Sequence, residues 1–175
     1  MNAYIRVALV ILTGVLMQLS LFNDLRIADV APELVLAIAI VAGMTGGSER
    51  GAVVGFVAGL LLDLFLATPF GLSALTYSIV AYLAGMVANA VIDANWLVSA
   101  PVVAVGSVGG LGLYVLFGEL LGQEHFYTDR FWWILLVAGL YNGVLGGLIT
   151  RVLRWAWQPL QQAGVRPTAR FGMLN

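Results

Sequence analysis

Three carboxylates, Asp63, Glu33 and Glu119, lie in or beside long apolar runs of this 175-residue sequence. Asp63 is the only charged residue of GFVAGLLLDLFLATPFGLSALTYSIVAYL, residues 55–83. Aspartyl acid–base chemistry needs two carboxylates sharing a site. Asp63 has no second membrane aspartate, and only Glu33 or Glu119 could approach it. Ser73, in the tripeptide GLS, offers a nucleophile, but such a serine works with a base in reach. The single histidine, His125, falls in a connecting loop with Glu124 and Asp129. One imidazole and two acids make a poor zinc set, and no Gly-Lys phosphate loop is present. The residues therefore imply no catalysis, no metal and no cofactor.

The surroundings explain why an acid stands out. Hydrophobic residues make up 61% of the chain and charged ones 10%, with a mean hydropathy of +0.98, against about 25% charged in soluble domains. The composition is that of a membrane protein. No linker or low-complexity run divides it, so residues 1–157 form one transmembrane domain and 158–175 a short cytoplasmic tail. No basic patch suits nucleic acid. The absence of cysteine excludes disulfides and thiol chemistry. The N-terminal apolar run resembles a signal peptide, but no small-residue cleavage site follows it, so it is expected to stay as a first helix.

Crossing about 30 Å of hydrocarbon takes roughly 17–25 apolar residues in a helix. Six segments are predicted to do so: residues 4–22, 30–46, 50–67, 72–92, 97–121 and 131–155. The second and third are the shortest, and every connection is short, so the fold is an all-α, six-transmembrane-helix bundle of antiparallel hairpins. Cytoplasmic loops accumulate positive charge. With the N-terminus inside, Arg6, Arg50, Arg151, Arg154, Arg166 and Arg170 are cytoplasmic, against Arg26 and Arg130 outside, which sets an N-in, C-in topology. Trp132 and Trp133 would mark the outer interface, and Trp96, Trp155 and Trp157 the inner one.

Helices in lipid associate through close backbone approach and interhelical hydrogen bonds. Gly51, Gly55 and Gly59 form a four-residue ladder in the third span, and Gly139, Gly143 and Gly147 another in the sixth. Pairs at Gly106 and Gly110 and at Gly118 and Gly122 repeat the spacing in the fifth. These seams either close the bundle on itself or dock a separate transmembrane partner. One further step of four from Gly59 reaches Asp63, which places its carboxyl toward protein in the outer third of the bilayer. Gln18, Glu33, Ser73, Thr76, Tyr77 and Glu119 fall at a similar height and are its candidate partners. The plainest role for Asp63 is a hydrogen bond to the fourth span that fixes the ATPFGLS turn; a partner or ligand contact and an ion pathway are the alternatives. Pro32 and Glu33 suit the first turn of a helix. Asn142 suits an interhelical hydrogen bond.

The pattern resembles the rod shape-determining protein MreD family. The residues that carry the resemblance are Gly55, Phe56, Gly59, Leu62, Asp63, Gly71, Ala81, Tyr82 and Leu83, with Pro32 and Leu34 in APELVL and Asn142 and Gly143 in YNGVL. It implies a non-enzymatic scaffold of the bacterial cell-elongation complex in the cytoplasmic (inner) membrane, supporting lateral peptidoglycan synthesis. The implied partners are a bitopic MreC-like membrane protein, the peptidoglycan polymerase and transpeptidase, and indirectly MreB filaments. The partner-binding or structural positions are then Asp63, Gly55, Phe56, Gly59, Pro69, Phe70, Gly71, Tyr82, Pro32, Glu33, Asn142 and Gly143. In hydropathy the chain is also similar to the substrate-binding subunits of energy-coupling-factor vitamin transporters, six-helix bundles as well. A small-molecule binding subunit is therefore the alternative function.

Overall fold

The computed structural model describes residues 2–22, 33–90, 96–123 and 130–164, with backbone alone at 21, 22, 89, 90, 96–98 and 159–164. The described residues are helical, without strands. They form α1 (Ala3–Met17), continued by a π-helical turn (Gln18–Phe22), then α2 (Leu34–Gly46), α3 (Ser48–Asp63), α4 (Leu72–Ala90), α5 (Trp96–Leu120) and α6 (Phe131–Gly164). Their outward faces carry large apolar side chains, among them Leu9, Leu16, Val53, Leu83, Val105, Leu140 and Val144. Apolar surface on that scale is incompatible with water on all sides. The protein is a membrane protein.

By length and apolarity three helices qualify to cross a bilayer among the described residues: Ala3–Ser20, Ser99–Leu120 and Phe131–Gln158. Length and composition thus establish three of the six expected spans. The other apolar stretches, Leu34–Gly46 and Leu72–Ala88, are shorter, and α3 carries Glu49, Arg50 and Asp63. The reason is clearest in α2, which at 13 residues is about 20 Å long. All eleven residues from Leu34 to Met44 are buried, and α2 packs against α1, α3, α4, α5 and α6. A helix that is apolar all round belongs in a core.

Two glycine seams lie within the chain. On α3, a Cβ at Gly55 would sit 2.5 Å from the Tyr77 carbonyl oxygen, and one at Gly59 2.6 Å from the Ala74 backbone. The α3–α4 pair thus packs backbone against backbone, with Gly51 continuing the seam onto Gly43 and Ala81. On α6, Gly139 and Gly143 face Ala104 and Ala100 of α5. The expected third rung, Gly147, has open space beside it, and Gly146 packs on Val103 instead. Gly106 and Gly110 receive Ile40 and Leu36 of the central helix.

Two boundaries differ from expectation. The third helix stops at Asp63 rather than Ala67, because the Asp63 side chain bonds to the next helix and the chain folds back on itself. The last helix runs on to Gly164, past the expected end at Trp155 and through Pro159. Proline has no N–H to give the carbonyl four residues earlier, which is that of Trp155. Arg6 supplies the missing donor: its Nη1 bonds the Trp155 carbonyl at 3.1 Å, and its guanidinium lies 4.6 Å from the Trp155 ring centroid. Arg50 lies similarly over Trp157, at 5.8 Å. The start of α1, the start of α3 and the end of α6 therefore meet at one end of the bundle.

Candidate functional site

At the opposite end, the α3–α4 turn is organised by one side chain. Asp63 is 3% exposed. Its Oδ2 accepts the N–H of Gly71 at 2.9 Å and of Ala74 at 3.3 Å, and its Oδ1 accepts the N–H of Ser73 at 3.2 Å. The first N–H groups of a helix have no intrahelical acceptor. Asp63 satisfies those of α4 from the end of the preceding helix, where a carboxyl also meets the positive end of the helix dipole. Its partners are backbone groups rather than the side chains expected, and Glu119 is exposed elsewhere. Gly71, at φ 94°, makes the reversal that aims its own N–H at Oδ2. Pro69 closes the turn through its carbonyl, which accepts the Leu72 N–H at 3.1 Å. Leu64, Phe65 and Phe70 are left exposed around it.

A second, separate polar group lies beside this turn. Gln18, in the π-helical turn, accepts the Val35 N–H through Oε1 at 2.8 Å and donates through Nε2 to Glu33 Oε2 at 3.1 Å. Tyr77 of α4 donates its hydroxyl to the same oxygen at 2.9 Å. Gln18 thus caps α2, while Glu33, at the N-cap position, makes no cap hydrogen bond of its own. The π turn re-aims Gln18 inward, a common use of such irregularities. A cavity of about 220 Å³ opens here, lined by Gln18, Glu33, Thr68, Ser73, Tyr77 and Tyr114 among apolar residues of α3, α5 and the turn.

The other expected positions are dispersed. Gly55 and Gly59 are taken up by α4 of the same chain. Phe56 and Tyr82 are exposed on the outer faces of α3 and α4, at 49% and 44%. Asn142, fully buried, donates Nδ2 to Ser107 Oγ on α5 at 2.9 Å, next to the Gly143 contact. Pro32, Arg26 and the His125, Glu124 and Asp129 group lie outside the described residues. Sequence reasoning passed over Tyr114 and Ser107, single polar residues in a glycine-rich apolar helix whose register alone turns them inward.

The model of the family described as rod shape-determining protein MreD matches residues 2–155 of the chain. No curated protein and no solved structure matches it, so the likeness in hydropathy to vitamin-transporter subunits gains no support.

Proposed function

The chain belongs to the rod shape-determining protein MreD family, and from that premise we propose that it is a non-enzymatic scaffold of the cell-elongation machinery. In this reading it sits in the bacterial inner membrane and crosses it six times, with both termini in the cytoplasm. Its partners are a bitopic MreC-like protein and, through it, the peptidoglycan polymerase, the transpeptidase and the MreB filament. The gathering of Arg6 and Arg50 with Trp155 and Trp157 supports one cytoplasmic end.

One observation carries the proposal: the carboxyl of Asp63 is committed to three backbone N–H groups. A group so occupied positions structure. What it positions is an apolar tip, Leu64, Phe65 and Phe70, each more than 60% exposed. Aromatic residues, phenylalanine among them, are enriched in the cores of protein interfaces. The scaffold presents this tip, with the α3 face that includes Phe56, to a neighbour's membrane or outer juxtamembrane segment.

Photocrosslinking in living cells tests it. A photoreactive residue at Phe56, Phe65 or Phe70 should capture the MreC-like protein, whereas one at Leu140 on the far face of α6 should not. No capture from the three positions, at normal membrane levels, would overturn the docking surface.

A further inference from the structure

The cavity beside the α3–α4 turn contains more acceptors than the described residues use. Glu33 receives its two donors, Gln18 Nε2 and Tyr77 OH, on the same oxygen, Oε2. Ser73 is fully buried, lines the cavity, and its Oγ has no hydrogen-bond partner; the Oγ1 of Thr68 is also buried and unpaired. Tyr114 of α5 lines the same cavity as these two hydroxyls. None of the described lining residues is basic. Buried polar atoms without partners are rare in folded proteins and ask for an explanation.

We propose that this cavity receives a primary ammonium group, with Glu33 as its carboxylate and Ser73 and Thr68 as neutral acceptors. An ammonium brings three N–H donors and no acceptor, which matches one carboxylate and two free hydroxyl oxygens. A divalent metal fits poorly, because calcium takes six to eight oxygen ligands and magnesium a near-octahedral set, and one carboxylate lies here. At roughly 30 Å³ per water, 220 Å³ holds about seven waters, ample for an ethanolamine-sized group. Leu66, which is exposed, and Thr68 from the turn form its rim, so the site opens toward the outer end of the bundle. Two sources share this chemistry: the headgroup of phosphatidylethanolamine, and a free primary amine. The inference does not rest on the docking role of the turn.

Full-length protein reconstituted in nanodiscs of phosphatidylglycerol mixed with phosphatidylethanolamine or with phosphatidylcholine separates the sources. Native mass spectrometry counts retained lipid, and thermal unfolding in detergent with ethanolamine or choline reads the free amine. Choline headgroups keep the charge but have no N–H to donate. Wild-type protein should prefer the primary amine over its choline counterpart by about fivefold or more, as charge-assisted hydrogen bonds predict. Preference in the lipid arm alone assigns the headgroup, and in the ethanolamine arm alone a free amine. Glu33→Gln should bring the preference close to unity. If that variant is not monodisperse, Ser73→Ala, which removes an atom without a partner, carries the test and should lower the preference several-fold. Equal retention of both lipids together with equal response to both soluble amines would overturn the proposal. So would an undiminished preference in a folded Glu33→Gln protein.

Discussion

Asp63 accepts three N–H groups while almost fully buried, so its replacement separates charge from hydrogen bonding. Asparagine keeps one acceptor oxygen, enough for the Gly71 and Ala74 N–H groups that share Oδ2, but loses the charge-assisted component and the acceptor of the Ser73 N–H. Leucine leaves three donors buried without partners, at about 1–3 kcal/mol for each group that water cannot reach. We therefore expect Asp63→Asn to cost about 1 kcal/mol and to retain rod shape and partner pull-down. Asp63→Leu should cost several times more and lose both. Thermal unfolding in detergent and cell morphology check this at matched membrane levels. Equal loss in the two variants would mean that the carboxyl itself contacts the neighbour. The inward direction of Asp63 was legible from the four-residue step beyond Gly59. Its partners were not, since backbone N–H groups leave no trace in residue type.

Between elements, the closest approaches are made by glycine, and the same substitution has opposite consequences at different rungs. A methyl group at Gly59 meets the Ala74 backbone, whereas one at Gly147 meets nothing within 4 Å. Gly59→Ala should separate α3 from α4 and cost about 1–3 kcal/mol, as overpacking does. Gly147→Ala should be neutral or stabilising by up to about 1 kcal/mol through helix propensity. Thermal midpoints of the two purified variants decide whether the α3 seam is structural. The bond of Arg6 to the Trp155 carbonyl makes a second test, because Pro159 creates the vacancy that Arg6 fills. Arg6→Ala should destabilise by about 1 kcal/mol. Adding Pro159→Ala restores an intrahelical donor and should recover part of that loss in a double-mutant cycle. Strictly additive effects would sever the link. The helices themselves were plain from apolar run length. The end of α3 and the extension of α6 were not, because each depends on a bond between elements, Asp63 of α3 to the start of α4 and Arg6 of α1 to α6.

At the scale of the molecule, three of the described helices are long and apolar enough to cross a membrane, and length and composition do not establish crossings by α2, α3 or α4. The topology is therefore best decided by accessibility, and the chain contains no cysteine to confuse the labelling. Phe70 follows α3 and is 65% exposed, while Arg154 is exposed near the end of α6. With six crossings and cytoplasmic termini these two positions lie on opposite sides of the membrane. Phe70→Cys should react with an impermeant maleimide in intact spheroplasts, and Arg154→Cys only after the membrane is opened. Labelling of both from the same side would remove an odd number of crossings between them, α4 then failing to cross. Reversed labelling would invert the bundle and place the apolar tip at the cytoplasmic face, where an outer juxtamembrane segment of a partner cannot reach it. The docking proposal thus depends on sidedness as well as on the turn, and this pair of cysteines tests the first.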